Sequence, residues 1–234
     1  LNSMQNGQLH HAAVPCEGIG INREYEKFWA PYDAAMQTDW RPEKPDLTDT
    51  TCHVLAGYGA DDKLMGFITY FGCHPVVCCG QCRVIHGDYP GIALNNIERD
   101  YPGAVGLFLQ GAQGDVNTAI GGRSEQESLL ALDEIAGRFA RSVRQGIADA
   151  EPLDIPALCT ARHDVTFTRK PWTAAEIQER LRECEQKIVA TEDEHNPTDT
   201  EQERRLNMVY ALALRGLLAR LERGESLSPA TEVH

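Results

Sequence analysis

The sequence has no uninterrupted apolar run of about 18 residues, the length that spans a bilayer as a helix. Its first residues also lack the basic and then apolar pattern of a secretory signal. Positive charge is scarce, because 22 Lys and Arg stand against 35 Asp and Glu, a formal net charge of −13. A chain this acidic repels phosphate backbones, so we expect no nucleic-acid partner and no transmembrane segment. Nothing in the composition indicates an oligomeric state.

Two common catalytic patterns are also missing. The sequence contains no Gly-x-Ser-x-Gly motif, which argues against an α/β-hydrolase serine nucleophile. Gly106 to Gly111 has the glycine spacing of a phosphate-binding loop, but Ala112-Gln113 follows where Lys and Ser or Thr are required. Metal-assisted hydrolysis therefore remains a candidate chemistry for this sequence.

Apolar patterns in the chain predict both strands and helices. Strands are predicted over 52–58, 64–71, 104–109 and 155–168, the first two joined by a hairpin at 59–62. Helices are predicted from Pro90, from the capping boxes Ser124/Glu127 and Thr173/Glu176, and over 206–221. The polar stretch through Gln8 gives no sign of a folded element. We therefore predict an α/β fold, a mixed β-sheet flanked by helices with a C-terminal αα-hairpin, and treat 1–234 as a single domain.

Residues 73 to 117 hold the densest set of chemically active side chains. His74 lies at a strand end before Pro75, which favours extended backbone and a projecting imidazole. Asp88 follows His86 and Gly87 in a turn, where it could orient an imidazole or accept a proton from a metal-bound water. Asp88 could equally cap the helix that begins near Pro90, and the sequence does not choose between these roles.

The glycine-rich loop after the third predicted strand offers backbone N–H groups to an oxyanion or other anion. The residues of this candidate loop are Gly111, Ala112, Gly114 and Asp115, and Asn117 follows with an amide that can donate to a carbonyl oxygen.

The eight cysteines form no disulfide framework in a chain of this length. Cys79-x-x-Cys82, with Cys73 and His74 beside it, suggests a small zinc site, but the second ligand pair of a structural zinc motif is missing. Free, buried thiols are the favoured interpretation. Unpaired thiols favour the cytoplasm as the compartment.

Four blocks together resemble the catalytic domain of the neutral (non-lysosomal) ceramidases and their bacterial relatives. The resemblance extends over about residues 18 to 120. Its blocks are Ile21-Asn22-Arg23, Gly72-Cys73-His74-Pro75, Ile85 to Gly91 with the sequence IHGDYPG, and Phe108 to Asn117 with the sequence FLQGAQGDVN.

The resemblance implies a zinc-dependent hydrolase of an amide bond in a lipid or small N-acyl substrate. It implies that His74 is a zinc ligand, with His86 as a further candidate, and that Arg23 lines the active site. Asn117 stands where the family has an active-site serine, and Asp88 and Asn117 join Arg23 as candidate catalytic residues. Family members are commonly secreted, so the resemblance and the free thiols favour different compartments.

Two metal-binding motifs of the family do not occur in these 234 residues. They are the upstream His-x-His-Ser-Gly-Pro block and the downstream Pro-Gly-Glu block, and His10-His11 lacks the context of the first. The resemblance thus implies a middle portion of a larger catalytic domain, with Zn²⁺ held by the complete site. Two alternatives stay open: a non-catalytic binding scaffold of the same fold, and a zinc site within Cys73 to Cys82.

Overall fold

The structure is a computed structural model that describes residues 6–26, 29–79, 82–83, 85–155, 157, 159–168, 172–190, 199–225, 227 and 230–233. The chain divides into two compact units, Leu1–Pro156 and Ala157–His234. All the sequence-predicted site residues belong to the first unit. The expectation that 1–234 is one portion of a larger catalytic domain stays a prediction.

The described part of the chain alternates strands and helices. Its strands are β1 (Gly7–Pro15), β2 (Gly20–Asn22), β3 (Thr51–Gly59), β4 (Leu64–Phe71), β5 (Val105–Gln110), β6 (Val116–Thr118), β7 (Glu151–Pro152), β8 (Val165–Thr168) and β9 (Ala230–Val233). Its α-helices are α1 (Tyr32–Ala35), α2 (Asp88–Asp100), α3 (Glu125–Asp149), α4 (Ala174–Ala190) and α5 (Asp199–Glu222), and a 3-10 turn lies at Pro45–Leu47.

A five-stranded mixed sheet in the order β5-β4-β3-β1-β7 organises the first unit. The β1–β3 and β3–β4 pairs are antiparallel, whereas β5 runs parallel to β4. A parallel neighbour needs a crossover connection, which α2 supplies between β4 and β5. The predicted α/β class, with helices flanking a mixed sheet, is confirmed.

The N-terminal stretch differs from the sequence-based expectation. Strand β1 begins at Gly7, inside the stretch through Gln8 where no folded element was expected, and it pairs with β3 on one side and β7 on the other. Its alternation is hard to recognise because His10 and His11 occupy strand positions. His11 Nε2 lies 3.1 Å from Nδ1 of His53 on β3, so the second histidine is part of a cross-strand pair.

Helix α3 covers one face of the sheet. It begins at the predicted capping box, where Ser124 Oγ accepts the Glu127 N–H and the Glu127 carboxylate accepts the Ser124 N–H. Gly146 lets the helix approach β3 closely, because a Cβ there would lie 2.4 Å from a methyl of Val54. Phe139 is fully buried among the aromatic rings of this core.

The other face of the sheet near β5 is apolar and open to solvent. Val105, Leu107 and Leu109 are 61%, 53% and 52% exposed, although they alternate along β5 as a buried face would. Period-2 apolar alternation marks a face suited to burial, but it does not say that anything covers that face.

No described helix of the chain is long and apolar enough to cross a membrane.

The second unit contains the predicted C-terminal helix pair. Helices α4 and α5 pack together, and the Arg215 guanidinium donates to the Glu185 carboxylate at 2.6 Å between them. Thr173 and Glu176 form the second predicted capping box. The single long strand predicted over 155–168 is wrong: β8 begins at Val165 and pairs with β9, and Pro156 and Leu158 fall outside the described residues.

Candidate functional site

A short antiparallel ribbon brings three distant parts of the sequence together. Strand β2 pairs with β6, so that Ile21 lies opposite Asn117. The His74 N–H donates to the Val116 carbonyl at 2.9 Å, which fixes the end of β4 beside this ribbon. The Arg23 N–H donates to the Asp115 carbonyl at 2.8 Å. Residues predicted from the Asn-Arg, His-Pro and glycine-loop blocks are therefore neighbours in space.

Close backbone contact at the end of β4 explains the glycines in these blocks. A Cβ on Gly111 would lie 3.0 Å from backbone atoms of Gly72, closer than side-chain carbons normally come. The Gly111 N–H donates to the Phe71 carbonyl at 2.9 Å. Glycine at both positions thus lets the loop pass directly over the strand end.

Arg23 and His74 act on each other electrostatically. The exposed Arg23 guanidinium donates through Nη2 to the Gly114 carbonyl at 2.6 Å. The pKa of His74 lies below its ordinary value, chiefly because partial burial disfavours the charged ring and further because of the Arg23 charge. His74 is therefore a neutral imidazole at neutral pH, with lone-pair density available to a metal or a hydrogen-bond donor.

The glycine-rich loop uses some of its hydrogen-bonding groups within the fold. The Gly111 N–H is already used within the fold, and so is the Val116 N–H, which donates to the Gln113 carbonyl at 2.9 Å. Asp115 is held by Asn22, whose Nδ2 donates to its carboxylate at 2.9 Å. Gln113 Oε1 is buried and accepts no hydrogen bond from the described residues. Gly111 is therefore not a donor for a ligand, which narrows the candidate oxyanion segment to 112–115.

Asp88 has a clear structural role. Its carboxylate accepts the N–H groups of Cys78 at 3.1 Å, Val77 at 3.4 Å and Tyr89 at 2.8 Å. The side chain is 8% exposed, and the backbone has φ of 51°, a left-handed conformation that costs an L-residue roughly 1–2 kcal/mol. Asp88 therefore ties the segment after His74 to the start of α2, and its acid–base role stays a prediction.

The cysteines separate into two environments. Cys73 is fully buried, and burial raises its pKa well above the ordinary value, so it is a core thiol. Burial raises the pKa of the Cys79 thiol above its ordinary value, and the Gly122 backbone N–H lowers it in part. Within the described residues, the metal-ligand atoms that converge within 4.8 Å of one another belong to Cys78, Cys82 and His86.

The surroundings of His74 do not fit a catalytic zinc on their own. Such a zinc takes three protein ligands and keeps a fourth position open. His74 is not part of the converging group of described ligand atoms, and a positive guanidinium lies near it. His74 therefore offers one candidate ligand, and a catalytic zinc beside it would need further protein ligands.

A cavity of about 150 Å³ lies beside the ribbon. Cys16, Gly20, Arg41, Thr50, Phe71 and Val116 are among the residues that line it. None of the predicted site residues, all of which are described, contributes to its lining.

Two important residues were not identified from the sequence. Arg138 on α3 is buried, and its guanidinium donates to the carbonyls of Gly18, Ala35 and Gln37 at 2.7 to 2.9 Å. Tyr89 donates through its hydroxyl to the Cys73 carbonyl at 3.0 Å. The available signal for Arg138 is its position in the apolar stripe of α3, where a charge must have partners.

Comparison with known proteins gives a distant fold resemblance. No protein-family model and no curated protein sequence matches the chain. The solved structures that are similar include one of neutral ceramidase from Pseudomonas aeruginosa (TM-score 0.49) and one of a ceramidase complexed with C2 (TM-score 0.48). Both are 20% identical in sequence, and the match covers 62% of this chain and 23% of each of them. A resemblance of this degree concerns the path of the chain and carries no information about activity.

Proposed function

We propose that this chain supplies part of the active site of a ceramidase-like hydrolase that cleaves the amide bond of an N-acyl substrate. The observation that carries the proposal is the meeting of Arg23, His74 and the Gly114–Asp115 turn at the β2–β6 ribbon. These residues come from three separate sequence blocks, and it is their order and spacing that resemble the ceramidase family.

Each residue has a role that its chemistry supports. The planar guanidinium of Arg23 can hold a substrate carbonyl or carboxylate with two parallel hydrogen bonds. The neutral His74 ring can accept a proton or bind a metal. Asn117, half-buried on β6, can donate its amide N–H to the oxygen that becomes negative as the amide carbon is attacked. The N–H groups of 112–115 are candidate donors to the same oxygen.

Zinc belongs to the proposal as a cofactor of the complete site. Held with its other ligands, zinc would lower the pKa of a bound water to about 7 and so would supply hydroxide at neutral pH. Because His74 alone does not make a ligand set, further ligands are required. We accordingly expect little or no amidase turnover from this chain alone in zinc buffer.

The alternative function is a non-catalytic binding module of the same fold. The absence of His74 from the converging ligand group of the described residues favours it. In that case Arg23 and the loop bind an N-acyl or carboxylate ligand without cleaving it.

Ligand binding tests the proposed site without requiring turnover. N-hexanoyl ethanolamine, a soluble N-acyl amino alcohol, is titrated into the ¹⁵N-labelled chain while amide and imidazole NMR signals are followed. We expect saturable shifts of His74, Gly114 and Asp115. Arg23→Ala should weaken binding by at least about tenfold, because one charge-assisted pair contributes about 1.5–3 kcal/mol.

A matched control is Arg41→Ala, which removes a half-exposed arginine that is paired with Glu17. Shifts that are absent at millimolar ligand, or that Arg41→Ala reduces as much as Arg23→Ala, would contradict the proposed site. Hydrolysis of a fluorogenic N-acyl amide with added zinc separates the two functions. Turnover that His74→Ala abolishes would support the enzyme and would show that other groups complete the site.

A further inference from the structure

A second cluster of metal-binding side chains lies between β4 and α2. The ligand atoms of Cys78, Cys82 and His86 all lie within 4.8 Å of one another, and Cys82 Sγ is 4.0 Å from His86 Nε2. From this geometry we propose that these three residues form a zinc-binding site of two thiolates and one imidazole. This site does not include His74. The inference does not depend on the proposed function.

The donor set selects the class of metal. Thiolate and imidazole are the ligands that zinc and similar borderline-soft ions prefer, whereas Mg²⁺ and Ca²⁺ require oxygen. Tetrahedral zinc, with Zn–S of about 2.3 Å and Zn–N of about 2.0 Å, brings its ligand atoms to within about 4 Å of each other. The observed spacing needs only a small contraction. Two thiolates also neutralise the charge of the ion.

The neighbourhood of the cluster is suited to a cation. The Asp88 carboxylate accepts the Cys78 N–H at 3.1 Å, so a negative charge lies beside the first thiol. All three candidate ligands are half-buried, which limits competition from bulk water without closing the site. Cys79 is not part of the converging group of described ligand atoms.

The site has three ligands and one open position. Among the residues that the structure describes, the converging group has no fourth His, Cys, Asp or Glu. Zinc sites that keep three protein ligands leave the fourth position to water or to an exchangeable ligand, unlike closed structural sites. The site is therefore suited to a bound water or to a small anion or thiol from solution.

Metal binding must change which nitrogen of the His86 ring carries the proton. The Asp88 N–H donates to His86 Nδ1 at 2.9 Å, so the neutral ring carries its proton on Nε2, facing Cys82. A metal replaces that proton at Nε2, and Nδ1 must then be protonated and release the Asp88 N–H. Metal binding is thus coupled to the first residue of α2, and the coupling gives a signature that non-specific binding to thiols lacks.

Cobalt substitution tests the site by absorption spectroscopy. The reduced, metal-free chain is titrated anaerobically with Co²⁺, and Zn²⁺ is then added as a competitor. We expect a saturable thiolate-to-cobalt charge-transfer band with tetrahedral visible bands at one ion per chain, which Zn²⁺ removes. Absence of these bands with excess Co²⁺ would overturn the proposal.

Matched variants assign the ligands. Cys82→Ser should remove at least about half of the charge-transfer intensity, because two thiolates carry the band, and His86→Asn should remove the tetrahedral visible bands. Cys79→Ser and His74→Ala should retain the full spectrum. Dependence of the spectrum on His74 and not on Cys82 would overturn this site while supporting a metal ligand at the proposed active site, so the two proposals fail separately.

The tautomer change supplies a measurement that is independent of the ligand variants. Long-range ¹H–¹⁵N NMR of the His86 ring should show the proton on Nε2 without metal and on Nδ1 with Zn²⁺. Hydrogen exchange of the Asp88 amide should accelerate on zinc binding. An unchanged His86 tautomer in zinc-saturated protein would show that His86 is not a ligand through Nε2.

Discussion

The buried Arg138 provides the sharpest test of how the candidate site is held in place. Its guanidinium donates to Gly18 at 2.7 Å, Ala35 at 2.8 Å and Gln37 at 2.9 Å, and Nε donates to Glu134 at 2.9 Å. The side chain is 4% exposed. One residue of α3 thus anchors both the turn that precedes β2 and the end of α1.

The expected cost of removing this guanidinium follows from its partners. A hydrogen bond to a charged group contributes about 1.5–3 kcal/mol, and breaking a buried charge network costs about 3–5 kcal/mol. Arg138→Met keeps most of the apolar stem and leaves three carbonyls without their donor. We expect it to lower the free energy of unfolding of the first unit by about 3–5 kcal/mol. Glu134→Gln should cost less than about 1 kcal/mol, because that carboxylate is partly exposed.

Urea denaturation followed by tryptophan fluorescence measures this difference. Trp172→Phe in both backgrounds removes the tryptophan of the second unit and leaves Trp29 and Trp40 to report on the first. Arg138→Lys is the matched charge control, and its single ammonium cannot reach all three carbonyls. A loss below about 1 kcal/mol for Arg138→Met would refute the proposed anchoring.

Three further predictions concern the site and the core. Arg23→Ala should raise the pKa of His74, because the neighbouring positive charge is removed. An NMR pH titration measures this pKa, and an unchanged value would show that Arg23 does not act on His74. Asp88→Asn should lower stability by about 1–3 kcal/mol in urea, since an amide NH₂ then faces backbone donors, whereas Asp133→Asn on the exposed face of α3 should be neutral. Burial raises the pKa of Cys52 from 9.0 to about 12, so its contribution to stability is complete below pH 9 and is lost as the pH rises toward 12. Between pH 9 and 10 the wild type should lose about 1 kcal/mol more than Cys52→Ala in urea unfolding, and equal losses would contradict this pKa.

Much of the secondary structure could be predicted because its causes are local. The capping boxes at Ser124 and Thr173 act over three residues, and the β3–β4 hairpin depends on a four-residue turn. Helical and strand periodicity likewise need only neighbouring residues. β1 was missed because a central strand is defined by its partners, and its own sequence with two histidines shows weak alternation.

The candidate site was predictable in composition but not in geometry. The motif order identified Arg23, His74 and the loop at 111–117 as candidates. The β2–β6 ribbon makes these three segments neighbours in space. Which N–H groups are used by the fold could not be inferred, because Gly111 and Val116 find their acceptors through turns and strand ends.

Periodicity and capping act within a few residues, so the α/β class, the helix starts and the list of reactive side chains could be predicted from the sequence. Which of those side chains meet depends on the tertiary structure. Cys73 is buried in the core and Cys79 is not part of the converging group, while Cys78 and Cys82 converge with His86. The physical reason is that spacing along an irregular segment does not determine side-chain direction, which depends on anchors such as the three N–H groups held by Asp88.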